Sequence, residues 1–313
     1  MARPRLRISD RVGDRLLLSA TGLASAIAVL LLVLIAWQVF KGSGTAFHKF
    51  GFGFLTGTTW KPNFNQYGAG TLLFGTFVTG VFALFLAAPI GIAIGLYLSL
   101  MAPPRVRAII GPVVEMLAAI PSVIIGFWGI LVLAPFLVKH AEPQLHSTVG
   151  FIPLFGLPQT NGASMFAAGL ILTIMVIPIV ASISRDLFDT VPRELQEGAS
   201  ALGATRWEMI RGVMLPTTAS GLAATSFLGL GRALGEAIAV TQVIGAGTKI
   251  NTSLYETGDT LASRLANQFQ NATDQLQTSS LFYLGALLLI IGLGSNLLAQ
   301  WIGRRFAVQK AHA

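Results

Sequence analysis

The chain has 313 residues, of which 53% are hydrophobic and only 11% are charged, which excludes an ordinary soluble domain and predicts a membrane protein. Its net charge is +8, but the basic residues flank apolar stretches and no polar domain collects them, so we exclude a nucleic-acid-binding protein. The absence of cysteine excludes disulfides and thiol chemistry.

Six apolar stretches are long enough to cross about 30 Å of hydrocarbon, and each must be a helix because lipid offers the backbone no hydrogen-bond partner. They predict an all-α polytopic fold with spans at about 16–39, 70–100, 112–138, 164–184, 218–246 and 280–303. The second, third and fifth are longer than a span requires, so we expect them to tilt, kink or project from the bilayer. The first is too long for a typical signal peptide and is predicted to be an uncleaved anchor.

The distribution of Lys and Arg predicts how these spans are oriented. With the N-terminal segment 1–15 in the cytosol, 14 of the 21 Lys and Arg residues lie on the cytosolic side and six lie in outer loops. Only Arg232 remains, and it lies inside the fifth span. By the positive-inside rule, the segment 1–15, the loop 185–217 and the tail 304–313 are cytosolic.

The outer segments 40–69 and 140–163 are rich in turn formers and predict irregular caps. In the third outer segment, 247–279, four apolar residues recur at near-helical spacing: Leu254, Leu261, Leu265 and Phe269. Two interpretations are open, a short helix in the membrane interface or a stripe packed on top of the bundle, and we favour packing.

Prolines interrupt two spans. Pro121 removes a backbone hydrogen bond in the third span, which predicts a kink with Ser122 able to face a path through the bundle. Pro178 is predicted to break the fourth span for structural reasons alone. Glu115, near the cytosolic end of the third span, either reaches the interface or pairs with a cation of the pore, and both alternatives are open.

The cytosolic loop 185–217 predicts a helix–turn–helix knob. A first helix covers Glu197 to Leu202, and Gly203 ends it because glycine adopts a positive φ at no steric cost. Thr205 caps a second helix, with Glu208 three residues later completing a capping box. Pro216 is predicted to close this helix, since the residue before a proline is disfavoured in the α region. Such a knob is suited to docking into another protein.

The fifth span carries two charges, Arg232 and Glu236, whose spacing of four residues places them on one helical face. A charge in hydrocarbon costs from about 2.5 to more than 10 kcal/mol, so this face must meet protein or water. Gly229, Gly231 and Gly235 thin the helix around the pair. Two interpretations compete: a self-neutralising pair that lets the helix insert, or an oxyanion site. In the second, the arginine fork binds the anion, and the carboxylate orients that fork or accepts a hydrogen bond from a protonated oxyanion. We favour the oxyanion site.

Other chemistries find no support in the sequence. The four histidines have no metal-ligand spacing, and no Gly-x-x-x-x-Gly-Lys-Ser/Thr loop exists to hold ATP. We therefore expect this chain to bind no metal or cofactor, and any ATPase that drives it to be a separate polypeptide.

The loop 185–217 resembles the Glu-Ala-Ala loop of binding-protein-dependent ABC importer permeases. Five positions match that signature in register: Glu197, Ala199, Gly203, Leu215 and Pro216. Gly198 and Val213 are mild departures from it. The resemblance implies that these residues couple the permease to an ATPase subunit.

Longer stretches are similar to the PstC-type permeases of phosphate importers. They are 53–60, 118–129, 177–186 and 229–240, the last reading Gly-Leu-Gly-Arg-Ala-Leu-Gly-Glu-Ala-Ile-Ala-Val. At Ala237-Ile238, related chains more often carry Thr-Met. The resemblance implies a type I (MetI-like) permease domain over 70–303 and a place in the bacterial inner membrane. It also implies four kinds of partner: a sister permease of the PstA type, two ATPase subunits, a periplasmic phosphate-binding protein and phosphate itself. The family's functional Arg and Glu fall on Arg232 and Glu236.

Three alternatives remain beside a phosphate permease. A permease for molybdate or sulfate would share the same features. An ion-driven secondary transporter needs no cytosolic docking knob, and a non-transporting assembly subunit needs no buried Arg–Glu pair, so the sequence disfavours both.

Overall fold

The computed structural model describes residues 8–157 and 162–308, which form helices and connecting loops. Arg3, Arg5, Arg7 and Lys310, which contribute to the predicted orientation, lie outside these residues. In the described part of the chain the only β pairing is an isolated bridge between Lys61 and Gln66. The helices are α1 (Ile8–Gly42), α2 (Gly44–Phe50), α3 (Gly53–Thr56), α4 (Gly70–Met101), α5 (Pro104–Ala118), α6 (Ser122–Val149), α7 (Met165–Asp189), α8 (Arg193–Ala201), α9 (Arg206–Gly235), α10 (Ile238–Val243), α11 (Leu261–Gln268) and α12 (Gln275–Val308).

Six helices in the described residues are long and apolar enough to cross a membrane: α1, α4, α6, α7, α9 and α12. This agrees with the predicted number of spans. The central helix is α7, in which 67% of the most apolar window is buried, whereas none of the corresponding window of α1 is buried. The chain is therefore a bundle built around α7, with α1 at its edge.

Glycine allows α4 to pack closely against α7. A Cβ atom at Gly91 would lie 2.7 Å from Cβ of Val180, and one at Gly95 would lie 2.8 Å from the carbonyl oxygen of Ala181. Real side chains do not approach this closely, so both positions require glycine for the two helix backbones to meet. The small-residue spacing in the second span thus packs helices within this chain.

The third span differs from its prediction. We expected one kinked helix over 112–138, but the helix stops at Ala118, and α6 begins at Ser122. Pro121 lies at the position before α6 and has an extended ψ of 132°, so the chain turns there. Proline is tolerated at this position because its missing N–H removes no bond from the helix interior. The membrane-crossing helix is Ser122–Val149, and α5 is a separate helix packed on α7.

Two other prolines lie inside continuous helices, and at Pro216 this corrects a predicted helix end. Pro178 lies within α7, which runs unbroken to Asp189. Pro216 does not close the second helix of the loop, because α9 runs from Arg206 through it to Gly235. A π-helical turn at Ile210–Met214 precedes Pro216 and changes the hydrogen-bond register where the proline has no N–H to offer.

The outer segment 247–279 forms one short helix, α11. Leu261 is fully buried at its start, and it belongs to an apolar cluster with Phe54, Trp60 and Leu284. Leu254, outside the helix, is also buried, whereas Phe269 is exposed. The preferred interpretation, packing on top of the bundle, is confirmed for Leu254 and Leu261 but not for Phe269.

Buried polar groups hold α11 in place. Arg264 pairs with Asp259 at 2.7 Å between Nε and Oδ2, and its guanidinium lies 5.8 Å from the centre of the Trp60 ring. The backbone N–H of Leu261 donates to Oγ1 of Thr76 on α4. Burial raises the pKa of the Asp259 carboxyl, while the guanidinium opposes that shift. The ion pair therefore compensates for the cost of burying either charge alone.

Candidate functional site

The Arg232–Glu236 pair lies where the fifth span breaks. The span was predicted as one helix over 218–246, but α9 ends at Gly235, and Glu236 has an extended backbone with φ −72° and ψ 117°. Glu236 is therefore not on the same helical face as Arg232, yet the two remain paired, with 3.4 Å between Nη2 and Oε2. The chain resumes as α10 at Ile238.

The two charges differ sharply in exposure. The Glu236 side chain is 5% exposed, whereas that of Arg232 is 52% exposed. The second carboxylate oxygen of Glu236 accepts a hydrogen bond from the backbone N–H of Ala239, at 3.4 Å. Glu236 thus ties the start of α10 to Arg232, and the guanidinium keeps donors free to contact another molecule.

Close packing between α6 and α10 positions this break. A Cβ atom at Gly126 would lie 2.9 Å from Cα of Ala239, and one at Gly129 would lie 2.9 Å from Cγ1 of Val243. From the first contact to the second, the residue number increases along both helices, so the two helices are parallel here. The first turn of α6, which carries Ser122, therefore lies at about the depth of Glu236.

Ser122 is half-buried, and in the described residues no hydrogen bond joins it to Arg232 or Glu236.

Of the three glycines near the pair, Gly229 packs on Val176 of α7, where a Cβ would come within 2.7 Å. Gly231 lies near Ser295 of α12, and a Cβ at Gly235 would meet no atom within 4 Å. Only the first of the three is required for close helix packing.

Gln242 on α10 is a candidate residue that sequence reasoning missed. Its Oε1 atom is buried and has no hydrogen-bond partner within the described residues, and it faces Gly126 of α6. A lone amide inside an apolar span was the available signal. Gln242 lies less than two helical turns beyond Glu236, on the side of α10 that contacts α6.

At the other end of α9, the predicted knob is present. Its first helix is α8, Arg193–Ala201, so it begins four residues before the predicted start at Glu197. Gly203 has the expected positive φ, +80°. Thr205 and Glu208 form the expected capping box, with the Thr205 N–H donating to Oε2 of Glu208 at 2.8 Å.

The matched positions of the knob differ in exposure. Glu197 is exposed, and it lines two neighbouring polar hollows of about 410 and 400 Å³. Ala199 and Leu215 are half-buried, and Leu215 packs against the apolar cluster around Phe188. Leu202 and Trp207 are strongly exposed apolar side chains on the knob. An exposed apolar tip beside polar hollows is typical of a protein docking surface.

Ion pairs join α5 to the end of α7, beside the knob. Asp189 accepts hydrogen bonds from Arg107 and from the Ser99 hydroxyl, the latter at 2.6 Å. Glu115 accepts a hydrogen bond from Arg185 at 2.9 Å. Glu115 is half-exposed and its partner is an arginine of α7, so the pairing decides between neither of the two alternatives offered for it. Arg107 and Asp189 also line the 410 Å³ hollow that contains Glu197.

Comparison with known proteins assigns the family. The family model described as "Binding-protein-dependent transport system inner membrane component" matches residues 87–308. Among solved structures, a similar fold is found in a bacterial alginate ABC transporter in complex with an alginate pentasaccharide-bound periplasmic protein. The TM-score is 0.60 and the sequence identity is 18%. The match covers 96% of this chain and 98% of that one. The fold and the family model define a class: a multi-pass permease subunit of the binding-protein-dependent transport systems.

Curated relatives narrow the class. The phosphate transport system permease protein PstC of Mesorhizobium japonicum is 43% identical, over 87% of this chain and 84% of that protein. PstC of Haemophilus influenzae is 42% identical, over 89% of both. PstC 2 of Mycobacterium tuberculosis is 35% identical, over 90% of this chain and 89% of that protein. The chain belongs to the PstC group of this permease family.

Proposed function

We propose that this chain is the PstC-type permease subunit of an ATP-driven importer of inorganic phosphate, and that it forms one half of the transport path. The half-exposed Arg232 carries the proposal. It lies in the last turn of α9, inside the fifth predicted span, and α10 follows before the outer loop begins. A charge exposed to lipid there would cost several kcal/mol, so its face must meet water and a second protein.

The chemistry of the pair suits phosphate. Arginine presents a planar fork of donors that binds tetrahedral oxyanions through two hydrogen bonds at once. Glu236 holds one side of the guanidinium and leaves the rest of the fork for the anion. Phosphate still carries a proton at neutral pH and sulfate does not, so a carboxylate in the path favours phosphate. Ser122, at about the same depth, is a further polar group for the path.

The similarity to PstC permeases implies the partners, and the two ends of α9 offer surfaces for them. The second half of the path belongs to a sister permease of the PstA type, which covers Arg232. The knob, with Glu197, Ala199, Gly203, Leu215 and Pro216, couples to one of two ATPase subunits that bind ATP and Mg²⁺, so this chain itself needs no cofactor. The Lys and Arg distribution supports a cytosolic location for the knob and both termini, and the similarity to PstC permeases supports the inner membrane. A periplasmic phosphate-binding protein then delivers the anion from the other side.

Uptake of radiolabelled phosphate by cells that rely on this permease tests the proposal. Arg232→Lys keeps the charge and loses the fork, and we expect uptake to fall at least tenfold, in line with the roughly 1.5–3 kcal/mol of a charged hydrogen bond. Glu236→Gln keeps an oxygen that accepts the Ala239 N–H and loses the charge, and we expect a similar loss. Arg105→Lys, at an exposed position of α5 outside both the Arg232 site and the knob, is the matched control and should leave uptake unchanged.

The variants must still insert and assemble, which co-purification of the partner subunits measures. Uptake near the wild-type rate in Arg232→Lys would contradict the oxyanion site and favour a purely neutralising pair. Strong competition by excess sulfate or molybdate would instead assign the site to another oxyanion. A charge-swapped pair is a poor test, because an arginine at position 236 cannot accept the Ala239 N–H.

A further inference from the structure

The distance between Arg232 and Glu236 depends on two helices that are held separately. Arg232 lies in the last turn of α9, whereas one carboxylate oxygen of Glu236 accepts the backbone N–H of Ala239 in α10. The other carboxylate oxygen lies 3.4 Å from Nη2 of Arg232. A displacement of α10 relative to α9 therefore separates the two charges or changes the orientation of the guanidinium.

Backbone hydrogen bonds fix the outer end of α10. The carbonyl oxygen of Val243 accepts the N–H of Ser164, the cap of α7, at 2.9 Å. The carbonyl oxygen of Ile244 accepts the N–H of Gly258, in the outer segment 247–279, at 3.0 Å. Both bonds lie at the end of α10 that is farther from Glu236, so the start of the helix needs restraints of its own.

Thr241 restrains the face of α10 opposite to α6. It follows Ala239, which packs on α6, by two residues and so lies about 200° further round the helix. Its hydroxyl oxygen lies 2.7 Å from the carbonyl oxygen of Ala237, the residue after Glu236, and 3.1 Å from the hydroxyl oxygen of Ser263 on α11. A hydroxyl donates one proton and also accepts, so Thr241 bridges α11 and the backbone next to the helix break.

Ser263 is a fixed point of the outer segment. The residue is fully buried, and its N–H donates to Oγ1 of Thr260, the N-cap of α11, at 3.1 Å. The next residue, Arg264, forms the buried ion pair with Asp259. These contacts hold the first turn of α11 in place, so the Ser263 hydroxyl resists a displacement of α10.

We propose that Thr241 and Ser263 are positioning residues for the anion site. Their contact holds the first turn of α10, and through it holds Glu236 beside Arg232, so that the guanidinium fork keeps its orientation towards the anion. This inference rests on the proposed function. It assigns to the outer segment a role in transport, although that segment contributes no group to the Arg232–Glu236 pair itself.

Thr241→Val tests the contact, because valine keeps the branched shape and loses the hydroxyl. The measurement is radiolabelled phosphate uptake per assembled complex, in proteoliposomes that contain this chain, its partner subunits and the phosphate-binding protein. We expect the uptake rate to fall roughly three- to tenfold, in line with the loss of one net hydrogen bond. Thr241→Ser keeps the hydroxyl and should transport at close to the wild-type rate.

Thr173→Val is the matched control. Thr173 is a buried residue of α7, and its hydroxyl donates to the carbonyl oxygen of Gly169 in the same helix, at 2.7 Å. The substitution therefore removes the same kind of bond within a helix, and we expect the uptake rate to stay unchanged.

Two double variants separate positioning from general stabilisation. Ser263→Ala should cause the same loss as Thr241→Val, and the two together should lose little more, because both remove one contact. In the Arg232→Lys protein, Thr241→Val should add little to the loss, since the contact acts through Arg232. Losses that multiply in that protein, or a wild-type rate in Thr241→Val, would overturn the inference. A wild-type rate in Arg232→Lys itself would refute the anion site, and with it both proposals.

Discussion

The turn at Gly203 offers a clean test of the coupling knob. Its φ of +80° is a left-handed conformation, and a Cβ atom at this position would meet no neighbour within 4 Å. A side chain at this position therefore meets no steric clash, and its whole cost is the local backbone strain. For a residue with a Cβ atom this strain is about 1–2 kcal/mol. Such a penalty reduces the population of the native turn about 5- to 30-fold.

We therefore expect Gly203→Val to weaken the binding of the ATPase subunit to the permease by that factor, with normal insertion in the membrane. Gly203→Asn should lose less, because asparagine tolerates the left-handed region better than most residues. The measurement is the Kd of the purified ATPase subunit for the permease in nanodiscs, together with coupled ATP hydrolysis.

Gly198→Ala is the matched control. Gly198 lies in α8 on the same knob, also faces open space, and has no positive φ, so alanine there should strengthen the helix by about 0.8–1 kcal/mol and preserve docking. Wild-type affinity in Gly203→Val would refute the role of the turn. An equal loss in Gly198→Ala would show that any change to the knob surface, and not its backbone geometry, controls docking.

Three further predictions concern topology, a surface ion pair and pH. Of single cysteines at Ser147 and Ala204, only the one at Ser147 should react with an impermeant reagent in intact cells, and labelling at Ala204 would place the knob outside. Arg107 and Asp189 are partly exposed, so Asp189→Asn should lower the free energy of unfolding by no more than about 1 kcal/mol in thermal unfolding, and a loss above 3 kcal/mol would contradict this. Burial raises the pKa of the Tyr255 hydroxyl from 10 to about 12, so between these values the unfolded chain binds fewer protons, and stability falls as pH rises. The melting temperature of Tyr255→Phe should fall less over that range, and an identical decline in both proteins would contradict the assignment.

The elements that the sequence predicts well are those that local physics determines. Apolar length defines six spans, and the capping box at Thr205 and the positive φ at Gly203 follow from short-range stereochemistry. The pairing of Arg232 with Glu236 is also predicted, because a buried carboxylate in a span needs a nearby partner.

The helix break at Glu236 could not be predicted in the same way. The run from Gly229 to Val240 has a helical pattern, and a Cβ at Gly235 would meet open space. The break is stabilised by contacts that are distant in sequence, namely Gly126 of α6 against Ala239 of α10. Conversely, Pro216 suggests a helix end from its own stereochemistry, but the π-helical turn at 210–214 accommodates it. Neither the contact between α6 and α10 nor the π-helical turn can be predicted from the pattern of single residues in the sequence.

The unbroken helix from Arg206 to Gly235 joins the two proposed sites, the knob and Arg232, over about 39 Å at the helical rise. A displacement of the helix at either site therefore acts on the other site through one element. Binding free energies that are linked in this way are reciprocal: the factor by which phosphate at Arg232 changes the affinity of the knob for its ATPase equals the factor by which the ATPase changes the affinity for phosphate. With a typical coupling of about 1–3 kcal/mol, that factor is roughly 5 to 150. The state of the nucleotide-binding partner would then determine how tightly the membrane site holds its anion.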